Sequence, residues 1–501
     1  MRLKTALFFG AVAILLSLGC LKKEDFSGLT IKSASPTLAI PLLQTQFSSD
    51  QLVDLLDTLD VTVNAENVFT LNFFADPFVQ QANSLIPVLD IGLPIPLFDS
   101  VLVVPLPVVN GFALQRASLD GKALLFFLNS SLAEDVEVTV RIPQLQLDGV
   151  SFQETYTIKS PPNQFISDSI QLAGYDLELQ GGTFSVHYDA RNSSGERIVL
   201  PLSFMQLTSF EFNYVEGNIS TQIINTGLLT IDVALPDSLV EGEFEVLDPK
   251  IHFDLSNSFG VPAGARVKEL YTLLEDGSRI DFESPLLAEI IPVGYPTLEE
   301  QGDTILQRIT FDRNNSNIVE LISDDLLTVF YDIDIVLNPS ENPEEIFFID
   351  ESSIAILDAT VELPLEVQIP QVVVRYGVPI RFDDFGDVGD ARLKLIAENG
   401  IPLGFDPLLQ FLTGGGDRQQ LSADPSDVIA PASVNEFGEV VGKISSTLFF
   451  PLSSSEVQFI TTSDSLMLEV LIMTGAEGME RARLQPGQEL NVKVGAEIML
   501  Q

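Results

Sequence analysis

The chain has 501 residues, with 26 Lys and Arg against 71 Asp and Glu, a formal charge of −45. That balance argues against nucleic acid and against lying flat on anionic lipid, because both would repel it. An acidic disordered tail is excluded too: 46% of residues are hydrophobic and the acids are scattered rather than blocked, so this is a folded chain long enough for about three domains. Its single cysteine, Cys20, rules out an internal disulfide framework and any multi-cysteine metal site.

The N-terminus comes in three parts. Arg2 and Lys4 are positive, residues 6–16 are almost wholly apolar, and Ser17-Leu18-Gly19 leads into Cys20. This is the layout of a secretory signal, too short and wrongly flanked for a permanent transmembrane helix. A small residue directly before a cysteine resembles the lipobox of bacterial lipoproteins. Ser17 stands where the usual leucine does, with Leu16 and Leu18 on either side, a pattern that the looser lipoboxes of Bacteroidetes lipoproteins tolerate. The resemblance implies that the Cys20 thiol takes a diacylglycerol, that the peptide is cut before it, and that the new amine is acylated. Each buried CH₂ contributes about 0.8 kcal/mol, so several chains hold firmly where one would not. The flank Lys22-Lys23-Glu24-Asp25 resembles the surface-export signal of the same lipoproteins, the alternative being a charged, solvated tether. Leu21 is also not the Asp that in many bacteria retains a lipoprotein at the inner membrane. The implied location is the bacterial outer membrane, lipid-anchored and facing outward. Cleavage would remove Arg2 and Lys4 and no acid, leaving 24 basic against 71 acidic residues, a charge of −47.

Beyond the tether the texture is uniform. A capped helix is expected over residues 49–56, with Leu52, Leu55 and Leu56 on one side, and a weaker helical signal lies near 77–88. The stretch 86–109 is apolar and rich in proline. Proline punctuation forbids a spanning helix there, leaving a buried strand pair or an exposed docking edge. Elsewhere, short runs of Val, Ile, Leu, Phe and Thr alternate with turn residues, as in EVTVRIPQLQL and VFYDIDIVL, and read as strands of sandwich or barrel modules.

Internal repeats add organisation. LDGKALLFFLNSS (119–131), LDPKIHFDLSNSF (247–259) and VGDARLKLIAENGI (388–401) each carry an Asp, a Lys or Arg two residues on, and an Asn seven residues after that. The triads are Asp120/Lys122/Asn129, Asp248/Lys250/Asn257 and Asp390/Arg392/Asn399. Ile251, Phe253 and Leu255 share one strand face, and Asp and Lys two apart share the outward one. The Asn ends the strand and reads as a turn residue. A second set, 183–195, 329–343 and 466–478, falls between these. Two of its members follow related lead-ins, NSNIVELIS and SSEVQFITT, and ISDSIQLAG is a looser third. The expected fold is all-β: three tandem antiparallel β-sandwich modules with little helix, over 36–205, 206–350 and 351–501, after a signal peptide (1–19) and a tether (20–35). A long sheet shared by the modules is the alternative. The strand–Asn–Ser/Gly–Pro units faintly resemble the immunoglobulin-like sandwich of late-embryogenesis-abundant and water-stress domains, which favours a sandwich over a barrel.

Chemistry is sparse. His187 and His252 sit in predicted strands at odd spacing, too few for a zinc site, and no Gly-x-Ser-x-Gly elbow exists. Asp332-Ile-Asp334-Ile-Val336 matches the Asp-x-Asp-x-Val signature of haloacid-dehalogenase phosphotransferases, but it lies in an alternating strand of a β-rich chain. Gly414-Gly415-Gly416-Asp417 lacks the Lys-Ser/Thr of a phosphate loop and reads as a turn. Asp383, Asp384, Asp387 and Asp390 could offer calcium several carboxylates in one loop; otherwise this is a solvated turn. The absence of Trp weakens a glycan-binding role. The expectation is a non-enzymatic, lipid-anchored protein that binds or scaffolds, its partner an envelope protein or an extracellular ligand. A carrier of lipid or hydrophobic ligand and a carboxylate-based hydrolase are the alternatives.

Overall fold

The structure, a computed structural model, describes residues 37–499 apart from 54–58, 87–88, 91–93, 98–99, 109–110, 208, 234–240, 274–276, 323–327, 343–344, 381–390 and 424–427. Alternation in sequence becomes alternation in burial. Along Val136–Leu147, Val136, Val138, Val140 and Ile142 point into a core while Glu137 and Arg141 face water, the period of two that a sheet with one wet face requires. Such strands, all antiparallel, build three sandwiches from the described residues.

Each sandwich has eight principal strands. In the third they are Thr37–Ser48, Glu366–Pro379, Ala391–Asn399, Gly404–Leu412, Arg418–Ser422, Ile444–Leu452, Ser465–Met473 and Glu489–Met499. In the second they are Phe69–Phe74, Gln222–Asp232, Lys250–Asn257, Ala263–Leu273, Arg279–Asp281, Ile305–Phe311, Thr328–Leu337 and Ile354–Pro364. In the first they are Pro94–Pro96, Val101–Pro105, Lys122–Asn129, Val136–Leu147, Val150–Ile158, Gln164–Ile166 (extended by Ile170–Gln171), Thr183–Arg191 and Phe204–Leu207. Counted in chain order, all three have one sheet in the order one-eight-three-six and a second in the order two-seven-four-five. This is the double-sheet arrangement of an eight-stranded jelly roll. An immunoglobulin-like sandwich has another strand order, so the all-β sandwich expectation holds while its immunoglobulin-like detail does not.

The order of the modules also differs from expectation. They are nested, not tandem. Thr37–Ser48 pairs with Glu489–Met499, from Thr37 opposite Met499 to Ser48 opposite Glu489, and so belongs to the third sandwich rather than to a module over 36–205. Everything from 49 to 365 is inserted between strands one and two of the third sandwich. Residues 75–221, which hold the first, are inserted between strands one and two of the second. The position has a physical reason. Within each jelly roll, strands one and two lie at the edges of different sheets, so a chain leaving between them interrupts no ladder.

Further strands join the sandwiches. Phe112–Asp120 and Ser209–Ile219 pair with each other and extend the first sandwich's second sheet through Asp176–Glu178, and Phe347–Asp350, arriving from the second, adds to that edge. Glu241–Val246 adds to strand two of the third. Gly121, at φ +80°, turns the chain from Phe112–Asp120 in one sheet to Lys122–Asn129 in the other, a conformation that glycine adopts without steric cost. One buried apolar cluster runs through the first and second sandwiches, and the third has its own. Rings cross between facing sheets: Phe126 meets Phe152, and Phe253 meets Tyr331 edge-on at 5.3 Å.

Helix is scarce, as expected. Ser49–Val53 forms the start of the predicted first helix, and residues 54–58 lie outside the described chain. The signal near 77–88 resolves into the strand Phe78–Gln81 and a 3₁₀ turn over Ala82–Ser84, because Phe78–Gln81 pairs with Ile354–Leu357 and the sheet outweighs local propensity. Two of the three lead-ins are short helices, Ile318–Leu321 and Ser454–Thr462. The run 86–109 supplies the edge strands Pro94–Pro96 and Val101–Pro105. Leu97 and Val104 are buried there while Val101 and Val103 are exposed, so it is part core and part edge.

Candidate functional site

Several residues singled out from the sequence fall outside the described chain: Cys20, Lys22, Lys23, Glu24 and Asp25, and the loop acids Asp383, Asp384, Asp387 and Asp390. The others are placed. Asp248 and Lys250 pair at 3.3 Å, as two residues sharing an outward face should. Arg392 bonds Glu497 across the sheet. The strand-ending Asn residues work as turns. Asn399, fully buried, donates to the Leu403 and Ala430 carbonyls at 2.8 and 2.9 Å and accepts from the Ile401 N–H at 2.9 Å. Asn257 donates to Gly294 O and accepts from the Phe259 N–H, both at 3.0 Å. In the first sandwich the register is one residue later. Ser130 is the buried residue whose hydroxyl accepts from the N–H two positions on, Leu132, at 3.0 Å, while Asn129 donates to Leu202 O at 2.7 Å from a more exposed position.

Both histidines are strand residues. His187 meets Ser185 Oγ at 3.1 Å. His252, buried, lies 2.9 Å from Thr310 Oγ1 and 3.1 Å from Glu362 Oε2, and Lys250 Nζ approaches Glu362 to 3.7 Å. The His252 hydrogen bond, with Lys250 adding its charge, holds the Glu362 carboxyl below its ordinary value. Asp332 and Asp334 lie between two bulged strands, where Asn225 Nδ2 donates to both, at 3.3 and 2.8 Å, and Lys268 Nζ donates to Asp332 at 3.0 Å. That network satisfies itself, inside an antiparallel sheet rather than the parallel one the phosphotransferase motif needs. The Gly414–Gly416 segment is a turn, closed by Thr413 N–H to Asp417 O at 3.0 Å. Glu366, at the step from the second sandwich to the third, is buried between Arg481, 2.7 Å away, and Arg483.

A cleft of about 400 Å³ opens where the first sandwich meets the second. Five stretches of chain line it, and no local sequence signal marks them as partners. Ser118 stands opposite Asp176 on one side and Tyr214 on the other; Arg116 stands opposite Glu216, and Tyr214 opposite Asp350. The pairing therefore sets these side chains on one sheet face. Glu351 follows, and Gln301 reaches in from the second sandwich behind the 3₁₀ turn Leu298–Glu300. Asn213 sits at a β-bulge in Ser209–Ile219, a device that re-aims side chains beside sites. Arg116 is 3.6 Å from Glu216 and 3.8 Å from Asp176. The Ser118 hydroxyl donates to Asp176, and the Tyr214 hydroxyl to Glu216 at 2.7 Å. Burial, and then the Glu216 hydrogen bond, raise the Tyr214 phenol well above its ordinary value, so Tyr214 stays neutral and donating. One guanidinium against Asp176, Glu216, Asp350 and Glu351 leaves a formal charge of −3.

Among the described residues no helix is long and apolar enough to cross a membrane. No family model matches the chain, and no curated protein matches it. Solved structures that resemble it include a candidate secreted protein from Parabacteroides distasonis, 10% identical over 92% of this chain and 99% of that one, with a TM-score of 0.28. An archaeal virus protein with a triple jelly roll fold is 12% identical over 94% and 98%, TM-score 0.11. An infectious bursal disease virus protein is 8% identical over 88% and 81%, TM-score 0.17. Likenesses this distant carry no argument about function or assembly, and the jelly-roll topology rests on strand pairing alone.

Proposed function

We propose that the chain is a lipid-anchored outer-membrane protein, facing outward, with a non-catalytic binding or scaffolding role. The observation that carries the binding role is the polar cleft between the first and second sandwiches, set on a framework of packed cores. The lipobox-like end supports the anchor. Nesting gives the anchor a consequence: Cys20 leads directly into Thr37–Ser48 of the third sandwich, and the first, innermost in the chain, is topologically the most remote. Changing Cys20→Ser should move the protein from the membrane fraction to the soluble one. Protease shaving of intact cells should digest the wild type and spare a variant with Lys22, Lys23, Glu24 and Asp25 all changed to Ala. Retention of the Cys20→Ser protein on the membrane would overturn the anchor, and protection of the wild type would place the sandwiches inside the envelope. A carboxylate hydrolase is the second reading, favoured by the four carboxylates of the cleft; glycan turnover abolished by Glu351→Gln would establish it.

A further inference from the structure

Resting on the anchor proposed above, we infer that the third sandwich is a tension-bearing stalk, in which a pull between Cys20 and the outer sandwiches loads the ladder of strands one and eight in shear. The places where load enters and leaves decide this. The chain from Cys20 enters at Thr37, opposite Met499, at one end of the ladder between Thr37–Ser48 and Glu489–Met499. The second sandwich attaches at the other end. There the Phe69 N–H, at the start of its strand one, donates to Leu484 O at 3.0 Å, the Leu484 N–H to Leu365 O at 2.9 Å, and the Leu365 N–H to Phe69 O at 2.7 Å, a closed ring of backbone hydrogen bonds. Beside it the Ser49 N–H donates to Gln488 O at 2.9 Å, and the Ser49 hydroxyl to Gln485 O at 2.6 Å. Glu366, which begins strand two of the third sandwich, and Val246, which ends the added strand Glu241–Val246, lie at the same junction: Glu366 pairs with Arg483, and Val246 with Val367. At about 3.3 Å per residue, Thr37–Ser48 sets the entry point and the junction roughly 35 Å apart.

A pull on Thr37 away from the junction therefore runs along the strand. Interstrand hydrogen bonds stand perpendicular to antiparallel strands. The eleven residue pairs of this ladder, bulged once between Pro41 and Leu43, must then slip together rather than open one at a time. The three sandwiches are graded in the same sense. Strand one meets strand eight over eleven pairs in the third, five in the second and three in the first. Any load on the first or second sandwich must pass through the third to reach Cys20, and the third holds the longest ladder.

The test is single-molecule force spectroscopy on the full mature chain, pulled in two geometries. Cys20 is the only cysteine, so one handle is joined to its thiol in both. In the first geometry the other handle is joined at Ser194→Cys, in the exposed turn 193–195 of the first sandwich, which loads the ladder in shear. In the second it is joined to a cysteine appended after Gln501. Thr37 and Met499 stand opposite each other, so that pull opens the same ladder pair by pair from its end. Release of Thr37–Ser48 is read from the contour length gained. In shear it should need roughly three-fold or more the force it needs in unzipping, and it should follow the extension of the first and second sandwiches. Release at equal force in the two geometries, or release before the outer sandwiches extend, overturns the inference. The handle stands in for the lipid, so the result holds whether or not the cell acylates Cys20. Membrane fractionation of the Cys20→Ser protein tests the anchor separately, and either reading can fail without the other.

Discussion

Replacing the strand-ending polar residue with Ala in each sandwich gives a graded loss of stability that follows from hydrogen-bond geometry. Asn399→Ala strands two carbonyls, Leu403 and Ala430, and the Ile401 N–H, around a side chain with no exposure. At roughly 1 kcal/mol or somewhat more for each buried group left unpaired, the cost is about 3 to 4 kcal/mol. Asn257→Ala strands the Gly294 carbonyl and the Phe259 N–H, for about 2 to 3 kcal/mol by the same reckoning. Asn129→Ala loses one bond from a wetter position, for less than about 1 kcal/mol, and Ser130→Ala exceeds it because Ser130 holds the buried turn position. The third sandwich has a core separate from that of the other two, so the measurement is hydrogen–deuterium exchange followed peptide by peptide. Faster exchange should stay within the sandwich that carries the change. If Asn129→Ala loosens the first sandwich as much as Asn399→Ala loosens the third, the one-residue offset between the repeats is wrong.

Deleting 37–48 should raise exchange in 391–399 and 489–499 and leave 112–219 protected; a tandem arrangement would show the reverse. Glu366→Gln leaves two guanidiniums short of a carboxylate at the step between the second and third sandwiches, and should cost about 3 kcal/mol in denaturant melts of the third. Acid acts through Glu362. Its folded value is depressed, so the stability it contributes is complete above the unfolded value near 4.5 and is lost as pH falls through the lower folded value. Melting of the second sandwich should therefore turn steeply pH-dependent below about pH 4.5, and Glu362→Gln should flatten that limb. An unchanged limb in that variant would assign acid sensitivity to other carboxylates.

The parts of this molecule legible in its sequence are those set by near neighbours. Alternation in EVTVRIPQLQL and KIHFDLSN fixed which face each strand buries, and Asn257 and Asn399 announced their turns because an Asx turn is made within three residues. The Ser453-x-x-Glu456 capping box of Ser454–Thr462 is equally local, a Ser and a Glu three apart. Partner choice was not legible. Nothing within Thr37–Ser48 says that its partner is Glu489–Met499 rather than a strand of its own neighbourhood. The cleft lies beyond local reading for the same reason. Arg116, Tyr214 and Asp350 meet only because an added strand pair extends the first sandwich and a strand returning from the second completes its edge. Both features follow from insertion between strands one and two. It leaves every ladder whole, so each jelly roll can fold around its neighbour's excursion, and it brings the excursion's returning strands to the edge where one sandwich meets the next. The cleft is thus a product of the nesting itself. Moving the first sandwich out of the second, by circular permutation at the exposed turn 193–195, with a short linker closing the original junction, should keep its core and destroy the cleft; a permutant in which residues 214–217 keep their wild-type hydrogen-exchange protection would refute the link.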